Sequence, residues 1–550
     1  MIFIGPSIVF VIAFLFFALF TNGYPLIIPD EPRYAETARE MLETGNFFVP
    51  YLNAEPRLVK PILFYWFEAM SMNFFGVNEF AARLPSLLAG SGIVSLAYLF
   101  GSINGIGIIT ALVASTSFAY FLLAKLAITD MVLCFFAVAS LVFFYLGFLE
   151  TKTNKLNKQL LLSATMMACG FLTKGPVAIV LPMAIILLFL FLKSDPVDFF
   201  KAYFREFLLG SLIFLLINIP WYFVVHVLTN GAFTEQFFFS DNLSRMMKPH
   251  TGHKGPFWFY LPVIIMGLFP WSFFLLQSLF SGDFSSGLNL QSEKSRQEKA
   301  FSFSLIWAFV YIVFFSIAST KMPSYIAPCF FPLAFIVARW WSQRFTTTKS
   351  HKRKNLGLAW GLIVFLLVIV SSFLLYLFKF KKEFLVVDAN ALFLPIVLIA
   401  AIYFAATAIA LTSVFADAKT SFIFFLVANI VCFTIFTNMI LKPYANYRDA
   451  GTKSFVQKLS PGAKLRVFKF EPSAFSFYRK KVITHIKAKK LPEYFAGKPN
   501  HYLVYKTKNF TTFDKKAKKF GFEFEEVKSN RDLTFVKGTN FIDENITSAQ

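Results

Sequence analysis

Ten of the thirty-one residues from Asp30 to Lys60 are charged, whereas none of the twenty-nine before them is. The stretch opens on an adjacent acidic pair, Asp30 and Glu31, in DEPRYAETAREML and runs to Lys60 in KPILFYW. A carboxylate beside hydrocarbon is costly unless it is hydrated, paired or used. Asp30 can therefore cap a helix, screened by Arg33, or act as a general base or electrostatic orienter toward a cavity. The two roles are compatible. Arg33, Arg57, Lys60 and Lys174, the last in LTKGPVAIVLP, fall on one side of the topology derived below. Singly, each could snorkel to lipid phosphates; together they suit a phosphate group at headgroup depth. Asp130 in LAITDMVL is either a helix cap or a second cavity acid. Tyr325 in STKMPSYIAPCFFPLAF can donate a hydrogen bond to an anion or sit in an interfacial belt. A loop holding Arg245, His250 and His253 offers two histidines three apart, without a short metal-ligand motif around them.

The elements that must hold these residues are greasy. Hydrophobic residues make up 57% of the 550 and charged ones 15%, against about 25% charged in soluble domains, so the chain reads as a polytopic α-helical membrane protein. About thirteen apolar runs of spanning length occur, at 2–20, 84–102, 104–123, 126–149, 159–173, 175–192, 207–228, 256–280, 300–318, 324–340, 357–379, 391–415 and 420–440. The first lacks the basic start and small-residue cleavage site of a signal peptide and is kept as a span. Between the first two, Asp30 and Pro32 begin a helix that Gly45 should end. The segment 61–76 is too short to cross and reads as re-entrant or interfacial, with Tyr65 and Trp66 at headgroup level. The most basic short loops, 150–158 and 339–355, belong in the cytoplasm, which puts loop 21–83, loop 229–255 and the tail outside. Residues 1–440 thus form a transmembrane domain. Residues 441–550, with short β-branched and aromatic runs and the amphipathic FTTFDKKAKKFG, form a small soluble α/β domain. The four cysteines lie inside spans and suggest no disulfide framework.

The formal net charge of +22 points to anionic membrane lipid rather than nucleic acid, since no nucleic-acid module is present. No Walker loop, dinucleotide fingerprint or nucleophile elbow occurs, so no nucleotide cofactor is expected. An outward site without nucleotide machinery needs a substrate that arrives activated, such as a sugar on a lipid phosphate. A lipid-linked sugar transporter or flippase could use the same bundle and basic side chains.

In order, DEPRYAETAREML, KPILFYW, ITDMVL, LTKGPVAIVLP, KGPFWFYLPV and STKMPSYIAPCFFPLA resemble the polyprenyl-phosphate-dependent glycosyltransferases of the GT-C superfamily, among them the aminoarabinose lipid A transferases and protein O-mannosyltransferase relatives. The resemblance covers about residues 20–340. It implies transfer of a sugar from a polyprenyl (undecaprenyl) phosphate to lipid A, another glycan or a protein on the outer face of the bacterial inner membrane. By motif position Asp30 is the principal catalytic carboxylate and Asp130 the second. Glu31, Arg33, Tyr34, Lys60, Lys174, Arg245 and Tyr325 are the residues expected to bind substrate. The aminoarabinose branch carries a glutamate, implicated in metal binding, immediately before its motif lysine, where this chain has Val59. Any divalent metal would fall to Glu55 and His253. The proposition behind this reading is that Asp30 and Lys60 meet around one glycosyl phosphodiester.

Overall fold

The computed structural model describes residues 4–150, 155–243, 255–280, 295–345, 361, 389–414, 418–449, 451–495, 498, 500–520, 524–529 and 532–538. Arg245, His250, His253 and the expected span 357–379, but for residue 361, lie outside them.

Among the described residues six helices are long and apolar enough to cross a membrane: Glu79–Ser102, Thr129–Leu149, Phe204–Leu228, Arg296–Ile317, Pro323–Phe345 and Ala418–Asp449. Two bent pairs, Val177–Lys193 with Pro196–Ala202 and Phe257–Gly267 with Ser272–Leu279, raise the number to eight if each is one span. Two shorter apolar helices, Gly5–Ala18 and Leu394–Thr407, lie on further expected runs, and some of the expected runs are interrupted. The apolar run 104–123, for example, is split into Gly107–Ser115 and Phe118–Leu123, where Ser115, Thr116 and Ser117 turn their hydroxyls back onto local carbonyls. The run 256–280 bends by 113° around Phe269–Pro270.

For the site, the elements needed are α1 (Ile4–Ala18), α2 (Asp30–Thr44), α3 (Leu63–Phe75), α4 (Glu79–Ser102), α5 (Thr129–Leu149), α6 (Lys158–Lys174), α7 (Val177–Lys193), α8 (Arg296–Ile317) and α9 (Ala418–Asp449). Helix α2 begins at Asp30 itself. Pro29 occupies the N-cap position and no side chain caps the end, so the capping role expected of Asp30 is not the one it takes. Gly45 does close the helix, at φ 68° with its N–H on the Met41 carbonyl. Helix α3 has 13 residues, about 20 Å at 1.5 Å per residue, too short for a bilayer core of about 30 Å. Its Tyr65 is fully buried rather than interfacial, accepting from Arg57 Nε at 2.9 Å.

The last span does not stop near 440, since α9 runs on to Asp449. Beyond it lie four strands, β1 (Lys464–Phe468), β2 (His501–Lys506), β3 (Phe524–Ser529) and β4 (Leu533–Gly538), in the order β1-β2-β4-β3. The β1–β2 pair is parallel and the others antiparallel. Alternation along the strands gives each face its own core: Val467, Val504 and Phe535 pack with Phe455 and Phe475, while Phe468, Leu503 and Val536 pack with Leu491 and Phe513 on the other.

This sheet unit is fastened to the loop between α1 and α4. Arg33 Nε pairs with Glu471 at 2.5 Å, the Leu26 N–H donates to Tyr478 at 2.8 Å, Ser476 donates to Asn53 at 2.7 Å, and Lys453 pairs with Glu79. Loop 21–83 and the tail therefore share one end of the bundle.

Candidate functional site

Two neighbouring carboxylates at the start of α2 are turned about 100° apart by the helix and meet different surroundings. Glu31 is 2% exposed and accepts four hydrogen bonds: from Arg83 Nε (2.9 Å) and Nη2 (2.8 Å), and from the N–H groups of Ile27 (2.6 Å) and Ala127 (2.7 Å). Arg83 also donates to the carbonyls of Thr21, Tyr24 and Pro25 and lies 4.0 Å over the Tyr24 ring. Every guanidinium N–H is thereby used. Glu31, expected to bind substrate, is sealed inside this clamp, which ties α2 to α4 and to the turn before α5. Arg83 was not among the expected residues. The available signal was a charge at the edge of an apolar run, which must be paired when buried.

Asp30 takes the opposite course. Its side chain is 56% exposed, with Arg33 Nη1 at 3.4 Å. Arg33 is shared with Glu471 and so faces the tail. Tyr34, one turn after Asp30 on the same face of α2, is nearly buried. Its ring is 5.4 Å from that of Phe64 and 5.8 Å from that of Tyr65, with the Arg57 guanidinium 5.1 Å over it. Burial, followed by the charge of Tyr65, pushes the Tyr34 phenol above its ordinary value, and Asp130 adds to this. Tyr34 thus connects the acidic motif with the start of α5.

There a cavity of about 210 Å³ opens, lined among others by Lys60, Asp130, Lys174, Ser324 and Tyr325. Asp130 lies in the first turn of α5, whose N-cap is Ile128 with no side-chain cap, so Asp130 is not spent on capping. It accepts from Lys174 Nζ at 2.9 Å, with side chains 13% and 14% exposed respectively. The Lys60 charge and the Ser324 hydroxyl bear on the same carboxylate. Lys174 Nζ also lies 5.1 Å over the Tyr325 ring. The LTKGP motif explains its position. Lys174 ends α6, Gly175 turns the chain at φ 89°, and Pro176 precedes α7. A Cβ at Gly175 would come within 2.5 Å of the Phe237 ring, so both conformation and space call for glycine.

Lys60, Asp130, Lys174 and Tyr325 are therefore brought together, with Tyr34 behind them. Asp30 is not among the residues lining this cavity, so among the described residues it does not share the Lys60 hollow. The sequence placed both at one excursion outside the bundle, but the turn of α2 directs Asp30 toward Arg33 and open solvent. Lys321, another basic residue of the STKMP turn, is committed to structure: its Nζ donates to the carbonyls of Phe315 (3.3 Å), Ser316 (2.7 Å) and Ala318 (2.7 Å) at the end of α8. Glu55 is exposed in a short hairpin, Tyr51–Leu52 against Glu55–Pro56. Among the described residues no group of three or more His, Cys, Asp and Glu is placed to hold a metal. The carboxylate that does face the cavity is already matched by lysine, so these residues do not fit a divalent ion.

A second hollow, of about 530 Å³, lies between the start of α2 and the tail and includes Arg33, Arg448, Glu471 and Lys506 in its walls.

The family model described as dolichyl-phosphate-mannose-protein mannosyltransferase matches residues 9–232. Among similar proteins, an undecaprenyl phosphate-alpha-4-amino-4-deoxy-L-arabinose arabinosyl transferase of Wigglesworthia glossinidia brevipalpis is 32% identical over 341 residues, 60% of this chain and 57% of that protein. The protein of the same description from Yersinia enterocolitica is 30% identical over 376 residues, 65% of this chain and 64% of its own length. The chain thus matches less than two thirds of the length of these relatives. The crystal structure of ArnT from Cupriavidus metallidurans bound to undecaprenyl phosphate superposes with a TM-score of 0.77 and 19% identity, covering 98% of both chains. The membrane fold is shared with that protein.

Proposed function

We propose that this chain, a relative of the polyprenyl-phosphate-dependent glycosyltransferases by family and by fold, moves a sugar from a polyprenyl phosphate carrier to an envelope acceptor such as lipid A, another glycan or a protein. The observation that carries the reading is the convergence of Lys60 and Lys174 with Tyr325 in one cavity beside Asp130. The description of the relatives as undecaprenyl phosphate-linked arabinosyl transferases supports the donor class.

In the proposed reaction an acceptor oxygen attacks the anomeric carbon while the bond from that carbon to the carrier phosphate oxygen breaks. The electron pair leaves with the phosphate. Lys60 and Lys174 offset its growing charge, and the Tyr325 hydroxyl donates to it; removal of one such preorganised donor typically costs about 10² to 10³ in rate. Asp130 holds Lys174 in place. A hydroxyl acceptor must lose its proton, and Asp30, exposed one turn before Tyr34, is the base assigned to it, worth about 10² to 10⁴. A phosphate acceptor arrives as an anion and needs orientation only. Arg245 is retained as a further phosphate ligand and Glu55 with His253 as the candidate metal ligands; no step above depends on them.

We assign the bundle the finer topology of about thirteen crossings in the bacterial inner membrane, with the broken helices counted as crossings. Loop 21–83 and the sheet unit form its extracytoplasmic face, in line with the basic loops at the other end. Purified protein supplied with a labelled polyprenyl-phosphate sugar and candidate acceptors should give a glycosylated acceptor and free carrier phosphate. Carrier binding with no product from any envelope acceptor would instead support a lipid-linked sugar transporter. Loss of product on chelation, restored by added divalent ion, would bring the metal into the mechanism.

A further inference from the structure

We infer that the hollow between α2 and the sheet unit is a subsite for a phosphorylated sugar headgroup, holding the acceptor beside Asp30 while the carrier phosphate occupies the Lys60 cavity. The identification of the occupant as acceptor rests on the transferase reading; the phosphate chemistry does not. Four cationic side chains, Arg33, Arg448, Lys506 and Lys508, face two carboxylates, Glu471 and Asp532, in its walls. Glu471 is already taken by Arg33. Arg448 donates only Nη2, to the Ile28 carbonyl at 3.1 Å, and no ion pair engages Arg448, Lys506 or Lys508 among the described residues. The walls therefore hold an excess of donors over acceptors, the condition for binding an oxyanion. The volume, about 530 Å³, accommodates the sugar that bears the phosphate as well as the phosphate itself.

Position argues for a membrane-borne ligand. Arg448 belongs to the last turn of α9, about 12 Å along the helix from the apolar run that ends near 440, so this wall stands just beyond the membrane-spanning part of the bundle. The opposite wall is the C-terminal end of β2 and the turn after it, which carry Lys506 and Lys508. Arg33 is three residues from Asp30 and within 3.4 Å of its carboxylate, which puts the subsite against the proposed base.

The test is binding of glucose 1-phosphate, followed by ³¹P line broadening, to the full-length protein in nanodiscs of zwitterionic lipid, with inorganic phosphate and unphosphorylated glucose as parallel ligands. Lys506→Gln/Lys508→Gln should lower affinity for glucose 1-phosphate about 10-fold or more. Lys489→Gln/Lys490→Gln, an equal charge change on an exposed turn outside the hollow, should leave it unchanged. Melting temperature monitors folding of both variants, and Arg448→Gln provides an independent lesion if the first pair unfolds. Equal loss in the two double variants overturns the site, as does unaltered binding in folded Lys506→Gln/Lys508→Gln and Arg448→Gln proteins. Equal affinity for inorganic phosphate overturns the sugar component. Competition by nanodiscs of phosphatidylglycerol as strong as that by the sugar phosphate overturns the acceptor in favour of bulk lipid. In transfer assays the lysine variants should raise KM for a phosphorylated glycolipid acceptor while donor affinity stays constant. Wild-type protein that binds the sugar phosphate yet transfers no sugar would sink the transferase reading and leave the subsite standing.

Discussion

Lys174→Met tests whether the Asp130–Lys174 pair serves chemistry or architecture. The ammonium and carboxylate are 2.9 Å apart, with 14% and 13% of their side chains exposed. Deleting one partner of a fully buried pair costs about 3 to 5 kcal/mol, because the other charge is left uncompensated. Here the cavity wets one side of the pair and Lys60 also bears on Asp130, so about 2 to 3 kcal/mol is expected for Lys174→Met. Transfer should fall further, by about 10² to 10³, if Lys174 also offsets the charge of the departing phosphate. The double variant Asp130→Asn/Lys174→Met separates the two effects. With no stranded charge it should recover most of the lost stability, measured by thermal unfolding in detergent, yet stay as slow as Lys174→Met in single-turnover transfer at saturating donor. If transfer returns along with stability, the pair is architectural and the phosphate-binding role assigned to Lys174 is wrong.

Arg83→Met should be the most damaging change at this end of the bundle, about 3 to 5 kcal/mol, since it strands Glu31 and three carbonyls at once; a melting temperature near wild type would refute the clamp. Glu68 is fully buried on α3, neither oxygen has a hydrogen-bond partner among the described residues, and burial, with Glu31 adding to it, lifts its carboxyl well above the ordinary 4.5. The folded state keeps this proton after the unfolded chain has released its own, so stability falls as pH rises from about 4.5 toward the raised value. Glu68→Gln should flatten that slope in melting curves taken across the range, and an unchanged slope would mean that the folded carboxyl is ionised. Gly175→Ala forces a side chain into a left-handed conformation against Phe237, costing about 1 to 3 kcal/mol; donor affinity should weaken as Lys174 shifts, and an unaltered dissociation constant would count against the turn as its positioning device.

What could be read from the sequence divides along physical lines. The helix from Asp30 to Thr44, its glycine stop and the short α3 follow from local patterning, and the structure has them. The strands and the amphipathic helix Phe510–Phe520 were equally local. Gathering Lys60, Asp130, Lys174 and Tyr325 required only that four segment ends fall at one end of the bundle, which counting crossings delivers. The direction of each side chain was not available from such counting. Asp30 and Glu31 are adjacent in sequence, yet one is open to solvent and the other is locked onto Arg83, fifty-two residues away. The same limit hid the broken helices, because hydropathy averages over a kink and cannot see where hydroxyls or a proline interrupt it.

The fastening of the sheet unit to the loop before α4 has a consequence for biogenesis. Arg33 meets Glu471 across 438 residues of chain, and Leu26 meets Tyr478 across 452. A nascent chain can thread its hydrophobic segments into the bilayer one after another while the acidic motif near its start waits without a companion. Glu471 and Tyr478 arrive only when the ribosome has delivered the sheet unit, so a prematurely terminated product can sit in the membrane with Arg33 and Leu26 still lacking these contacts.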